Sequence, residues 1–349
     1  MAAAGGSEEP AAAAAPAPPL LFTDIAVNLT DPQYQGRYNG KAAPAHPADL
    51  HAVLARAAAA GVARIIVTGT DLAESRAALA LARAHNASRA LPGLRLYSTV
   101  GLHPTSTSGG LEGLAPEAYE AALLAVARDG MADGTVVFIG ECGLDMERLH
   151  FSPEAAQRAL FPMHLRLAAA TGLPLFLHDR ATHGGLLALA DAHGGLPAAG
   201  GVVHSFTGTQ AELAAYLARP RLFVGLNGCA LKTAAGCAMA ASVPLARLLL
   251  ETDAPWCGIR ASSPAAALVR SPPPARAVAR KERWEEGCMV KDRNEPCAVV
   301  AVAEAVAGLK GLPLADVCQA AERNLRELLG GLLGGEGAGA RAGAGPRAL

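Results

Sequence analysis

The stretch VVFIGECGLD, residues 136–145, drives four apolar side chains into a glycine and then sets Glu141 and Asp145 four positions apart. A strand with one wet face alternates polar and apolar residues, whereas a continuous apolar run marks a strand covered on both faces, as in parallel sheets. A carboxylate that ends such a strand is costly to bury without a partner. The reading of the chain turns on whether other strands end in the same way.

Seven further runs do resemble it: LLFTDIAVNL (20–29), ARIIVTGT (63–70), LRLYSTVGLHP (94–104), PLFLHDR (174–180), GGVVHSF (200–206), RLFVGLNG (221–228) and RLLLETDAP (247–255). Between them lie segments rich in Ala, Leu, Glu and Arg, such as 48–60, 72–85, 115–128, 153–171 and 209–219, with the composition of helices. Ser152-Pro153 reads as an N-cap and first-turn pair, and Pro162 predicts a kink. Eight strand–helix units make the α/β fold a (β/α)8 TIM barrel, with a doubly wound open sheet as the competitor. A barrel gathers its site at the C-terminal ends of the strands. Those ends carry Asp24 with Asn28, Thr70, His103, Glu141, His178, His204, Asn227 and Asp253.

A ring of imidazoles and carboxylates is what a divalent cation requires, so Glu141, His178, His204 and Asp253 are the candidate metal ligands. Each has a blander reading: a carboxylate paired with a buried arginine, hydrogen-bonded core histidines, a turn aspartate. His103 either lines the pocket against a substrate oxyanion or fixes the turn before Pro104. Asp145 and Arg180 either contact the site or its substrate, or pair as a salt bridge at the mouth. His183 is close enough in sequence to His178 to touch substrate. The remaining histidines read as surface or packing residues, and Cys142, Cys229 and Cys257 as small buried groups.

Composition narrows the partners. With 30 Lys and Arg against 31 Asp and Glu, the net charge of −1 excludes a protein that coats duplexes by bulk phosphate neutralisation. Seven cysteines with no C-x-x-C pair argue against a zinc ribbon or a disulfide framework, and predict reduced thiols in the cytoplasm or nucleus. No apolar run reaches the length of a membrane span. Residues 1–19, Ala/Pro-rich, and 330–349, Gly/Ala-rich, read as disordered, which leaves 20–329 as one barrel domain.

GLHP, IGECGLD, FLHDR, VVHSFTGT, LLLETDAPW and RNEP resemble, in order and spacing, the signature blocks of the TatD family of metal-dependent hydrolases. The likeness spans residues 22 to about 328. It implies a barrel of the amidohydrolase-like type, deoxyribonuclease activity and dependence on a divalent metal. It places the family's bridging glutamate on Glu141, its histidine ligands on His178 and His204, and its strand-eight aspartate, ligand and base, on Asp253. Many members carry a His-x-His pair on strand one; Ala26 and Asn28 stand there instead, although Asp24 is kept. An amide oxygen in place of an imidazole shifts the expectation toward Mg2+ or Mn2+, one ion or two, with Zn2+ as the alternative.

His103, Arg180 and Asn28 are then the expected substrate contacts. The long segment after strand eight carries Arg260, Arg270, Arg276, Arg280, Lys281, Arg283, Lys291 and Arg293 with Trp256 and Trp284. Cations beside aromatic rings suit single-stranded DNA or a frayed end, and a solvated loop is the bland reading. Two rival functions remain: hydrolysis of another ester or amide, such as an aminoacyl-tRNA, and a non-catalytic barrel scaffold.

Overall fold

A computed structural model describes residues 20–109, 111–275 and 277–333. The expected disorder of residues 1–19 and most of the expected tail lie outside these, as does Arg276. Eight parallel strands follow one another around a single sheet, in sequence order. They are β1 (Phe22–Val27), β2 (Val62–Val67), β3 (Arg95–Val100), β4 (Val136–Asp145), β5 (Leu175–Arg180), β6 (Gly201–His204), β7 (Leu222–Leu226) and β8 (Leu248–Leu250). The circle closes just past β8, where Val27 bridges Ala254 and the Asp253 amide donates to Ala26 O. The open sheet is thereby excluded.

Helices α1 (Leu50–Ala59), α2 (Leu72–Ser88), α3 (Pro116–Ala132), α4 (Glu154–Thr171), α5 (Gly185–Ala192), α6 (Gln210–Leu217) and α7 (Ala234–Ser242) each follow one strand, and α8 (Val299–Lys310) and α9 (Leu314–Leu329) complete the chain. Ile25, Ile66, Tyr97, Phe138, Phe176, Val202, Phe223 and Leu249 fill the interior, so the barrel is a packed core and no pore. Helix α9 stoppers its N-terminal end with Leu325, Leu328 and Leu329. The Asn324 amide donates to Leu245 O and Leu248 O, and Glu322 pairs with Arg64 at 2.9 Å. Closed at that end, the barrel can offer a site only at the other. Among the described residues no single helix is long and apolar enough to cross a membrane.

One local expectation needs correction. Ser152 does not cap α4: its hydroxyl donates to Thr105 O and accepts from the Ser108 amide, which ties the β3 and β4 loops together. Pro153 is the cap position instead, with no side-chain hydrogen bond. Pro162 lies inside α4, which runs as one helix from Glu154 to Thr171.

Asp24 does not stand at the mouth with the other strand-end groups. It lies within β1, wholly buried, and accepts from the Thr252 amide at 2.8 Å, the Thr252 hydroxyl and the Ala26 amide. The reason is its early place in the strand, three residues before β1 meets the closing segment.

Candidate metal centre

Glu141 owes its position to a break in the β4–β5 ladder. Ile139 pairs with Leu175 and Cys142 with Leu177, so the pairing is irregular between them and frees Glu141 to turn into the mouth. The flanking glycine explains the G-E-C-G spelling. Gly143 has φ +151°, and a Cβ there would lie 1.9 Å from His178 O, so no larger residue fits. His178 and His204 are register partners on β5 and β6, which places both imidazoles on one face.

The three side chains converge. Glu141 Oε1 lies 2.8 Å from His178 Nδ1 and 2.6 Å from His204 Nε2, and those two nitrogens are 3.3 Å apart. All three residues are buried. His103 joins them, with Nε2 3.3 Å from the same oxygen, and His103, Glu141 and His178 alone could hold an ion. Its other nitrogen, Nδ1, lies 2.6 Å from Thr105 Oγ1 and accepts from the Thr105 amide. One ring therefore fixes the turn and faces the site.

The electrostatics follow from this packing. Burial works against charge on Glu141, but the His204 and His103 imidazoles outweigh it and hold the carboxyl well below its usual range. Burial likewise opposes charge on His178, yet Asp145 and Glu141 raise it. His103 is lowered, chiefly by burial. Several nitrogens crowding one carboxylate oxygen form the donor set of a borderline or hard divalent cation, and a cation at their centre would relieve that crowding. The residues fit a metal.

Asp253 makes no hydrogen bond to Glu141, His178 or His204. Its carboxylate accepts from the Asn28 side-chain amide at 3.1 Å, and Cys257 Sγ lies 3.3 Å from its other oxygen. Burial pushes the Asp253 carboxyl up to about 7, with the His204 imidazole acting the other way. Asn28 thus holds Asp253 by its NH2 group. Arg180 is half-buried at the end of β5 and donates to Thr207 Oγ1 at 2.9 Å. It does not pair with Asp145, whose partners are His178 Nε2 at 3.1 Å and Arg148 at 3.8 Å. His183 is 82% exposed and stands off the cluster.

Three features escaped the sequence. Glu251, wholly buried, lies behind His204. Its only sequence signal was a second carboxylate two residues before Asp253, lost within the apolar run LLLET. Cys229 and Cys257, expected as separate small thiols, form a disulfide with Cα atoms 5.0 Å apart. Their separation of 28 residues carries no motif, and only the meeting of the loops after β7 and β8 pairs them. The basic segment after β8 is also heterogeneous. Arg293 is buried, held by Asp49 at 2.6 Å and Glu295 at 3.0 Å, and is no surface contact. Trp284 is stacked on His46 with ring centroids 5.2 Å apart, whereas Trp256 is 52% exposed.

Residues 23–330 match the family model described as TatD related DNase. The chain is 39% identical over 313 residues to the Deoxyribonuclease Tat-D of Schizosaccharomyces pombe, covering 89% of this chain and 96% of the relative. It is 39% identical over 267 residues to the 3'-5' ssDNA/RNA exonuclease TatD of Enterobacter lignolyticus, covering 75% of this chain and 90% of the relative. A solved hydrolase of the TatD family from Entamoeba histolytica superposes with a TM-score of 0.79 at 30% identity, over 89% of this chain and 98% of that one.

Proposed function

This chain belongs to the TatD related DNase family and is a hydrolase acting on ester bonds, and from that premise we propose that it is a divalent-metal-dependent deoxyribonuclease. The observation that carries the reading is the convergence of Glu141 on His178 Nδ1 and His204 Nε2. Glu141, His178 and His204 would hold the cation, with Asp253 as a further ligand and Mg2+ or Mn2+ as the ion. Such a cation, when bound, neutralises charge on the scissile phosphate and makes water a better nucleophile.

The chain's own residues do the rest. Asp253, steadied by Asn28, orients the attacking water and takes its proton. His103 Nε2, facing the cluster, donates to a non-bridging oxygen of the phosphate. Arg180, anchored by Thr207 and half open to solvent, binds the neighbouring phosphate. Trp256, three residues beyond Asp253 and exposed, would stack a base, which favours single-stranded DNA or a frayed end. The bacterial relative, a 3'-5' ssDNA/RNA exonuclease by name, supports the same choice.

The test is digestion of single-stranded, duplex and circular DNA, of RNA and of an aminoacyl-tRNA, with Mg2+, Mn2+ or Zn2+ supplied in turn. Metal-dependent cleavage of single-stranded DNA, lost in Glu141→Ala, is the expected result. Cleavage surviving in that variant, or confined to the aminoacyl ester, contradicts the reading.

A further inference from the structure

The two histidines of the cluster differ in what stands behind them. His178 turns Nδ1 to Glu141 and its far nitrogen, Nε2, to Asp145 at 3.1 Å. A carboxylate there fixes which nitrogen carries the proton and leaves the other free. His204 is turned the opposite way, with Nε2 toward Glu141 and Nδ1 facing backward. Nδ1 is buried and has no hydrogen-bond partner among the described residues.

The group behind it is Glu251, on the segment just past β8. Its Oε1 lies 3.7 Å from His204 Nδ1, about 0.7 Å beyond the usual ~3.0 Å of such a bond. That oxygen is held from two sides, by the Ser205 amide at 2.6 Å and the Asn227 side-chain amide at 2.8 Å. The other oxygen, Oε2, is also buried without a partner. A wholly buried carboxylate with one free oxygen, beside a wholly buried imidazole with one free nitrogen, is an expensive arrangement unless the two serve each other. Gly225 on β7 keeps the space open. A Cβ at that position would come within 2.6 Å of Glu251 Oε2 and 3.3 Å of His204 Cα.

We infer that Glu251 is a positioning residue for His204: it accepts a hydrogen bond from Nδ1–H, which keeps the proton on that nitrogen and presents Nε2 unprotonated to the cation. Asn227 and the Ser205 amide aim the carboxylate, and Gly225 admits it. The pair Asp145–His178 and Glu251–His204 then set opposite tautomers on adjacent strands, one for each ligand nitrogen. Carboxylates behind metal-bound histidines are worth about 10- to 100-fold in metal affinity. The inference rests on the metal-centre reading above, and the experiment separates the two.

Mn2+ affinity is measured on the full chain for the wild type, Glu141→Ala, Glu251→Gln and Gly225→Ala, together with the thermal unfolding of each metal-free protein. Glu251→Gln keeps the size of the side chain and an oxygen for Ser205 N–H. It is expected to weaken Mn2+ binding about 10- to 100-fold with the unfolding midpoint held. In the Zn2+-loaded wild type, the protected Nδ1 proton of His204 gives a downfield imidazole resonance that Glu251→Gln, with a weaker neutral acceptor, moves upfield. Should that variant fail to fold, Gly225→Ala, which pushes the carboxylate aside, is expected to show the same loss. Unchanged affinity in a folded Glu251→Gln, with binding lost in Glu141→Ala, overturns the role of Glu251 and leaves the metal centre standing. A wild type that takes up no Mn2+ overturns both.

Discussion

Asp24 and Thr252 are joined across the seam of the barrel: one carboxylate accepts both the amide and the hydroxyl of a residue 228 positions away. The bond links β1 to the segment that completes the circle. Desolvation pushes the Asp24 carboxyl well up, opposed by those same donors. Its removal in Asp24→Ala strands buried donors and is expected to cost about 2–4 kcal/mol. Asp24→Asn, which keeps an acceptor for the Thr252 amide and a partner for its hydroxyl, should lose less than half of that. Urea unfolding of the metal-free variants measures the difference, and equal stability of the two would sink the seam argument.

His164 supplies a pH dependence away from the candidate metal cluster. It is buried on α4, accepts from the Leu102 amide at 3.0 Å, and burial pulls its pKa from 6.5 to about 4. The folded value lies below the unfolded one, so the unfolded chain binds the extra proton. Stability therefore falls as the pH drops from about 6.5 to about 4, by about 3 kcal/mol from this group alone. His164→Gln retains an acceptor and does not titrate. Unfolding free energies at pH 7.5 and 5 should converge less steeply in the variant, and an identical pH slope would contradict the assignment.

Arg293, the buried cation after β8, is structural. Arg293, bound by Asp49 and Glu295, and Arg56, 2.7 Å from Glu295, form one buried network. Arg293→Ala leaves Asp49 without its cation and Glu295 with Arg56 alone, and should cost about 3–5 kcal/mol. An Arg280/Lys281/Arg283 triple alanine variant, by contrast, should keep its stability and flatten the salt dependence of DNA binding. An unchanged salt slope would make this a solvated loop.

Much of the frame was legible because its signal is local. A buried parallel strand is a continuous apolar run, and a polar residue that interrupts eight such runs at the same end is visible without any knowledge of contacts. Glu141, His178, His204 and Asp253 stood out for that reason. Glu251 did not, because it continues an apolar run and is explained only by His204, on another strand. Arg293 read as one cation among eight because its partner Asp49 lies 244 residues earlier. Ser152 had the chemistry of a cap, but the loop beside β3 offered its hydroxyl better-placed partners. The disulfide between Cys229 and Cys257 likewise depends on two loops meeting, which no spacing announces. What the sequence hides is the second partner of each long-range pair.

Glu141 is the centre of the candidate metal site, where side chains from β4, β5 and β6 meet. Equilibrium Mn2+ binding to the purified full chain, measured beside Glu141→Gln with both proteins shown to be folded, addresses it most directly. Saturable uptake by the wild type, weakened at least about 100-fold in the variant together with cleavage of single-stranded DNA, is the predicted result. Equal uptake by both proteins, or none by either, would contradict it.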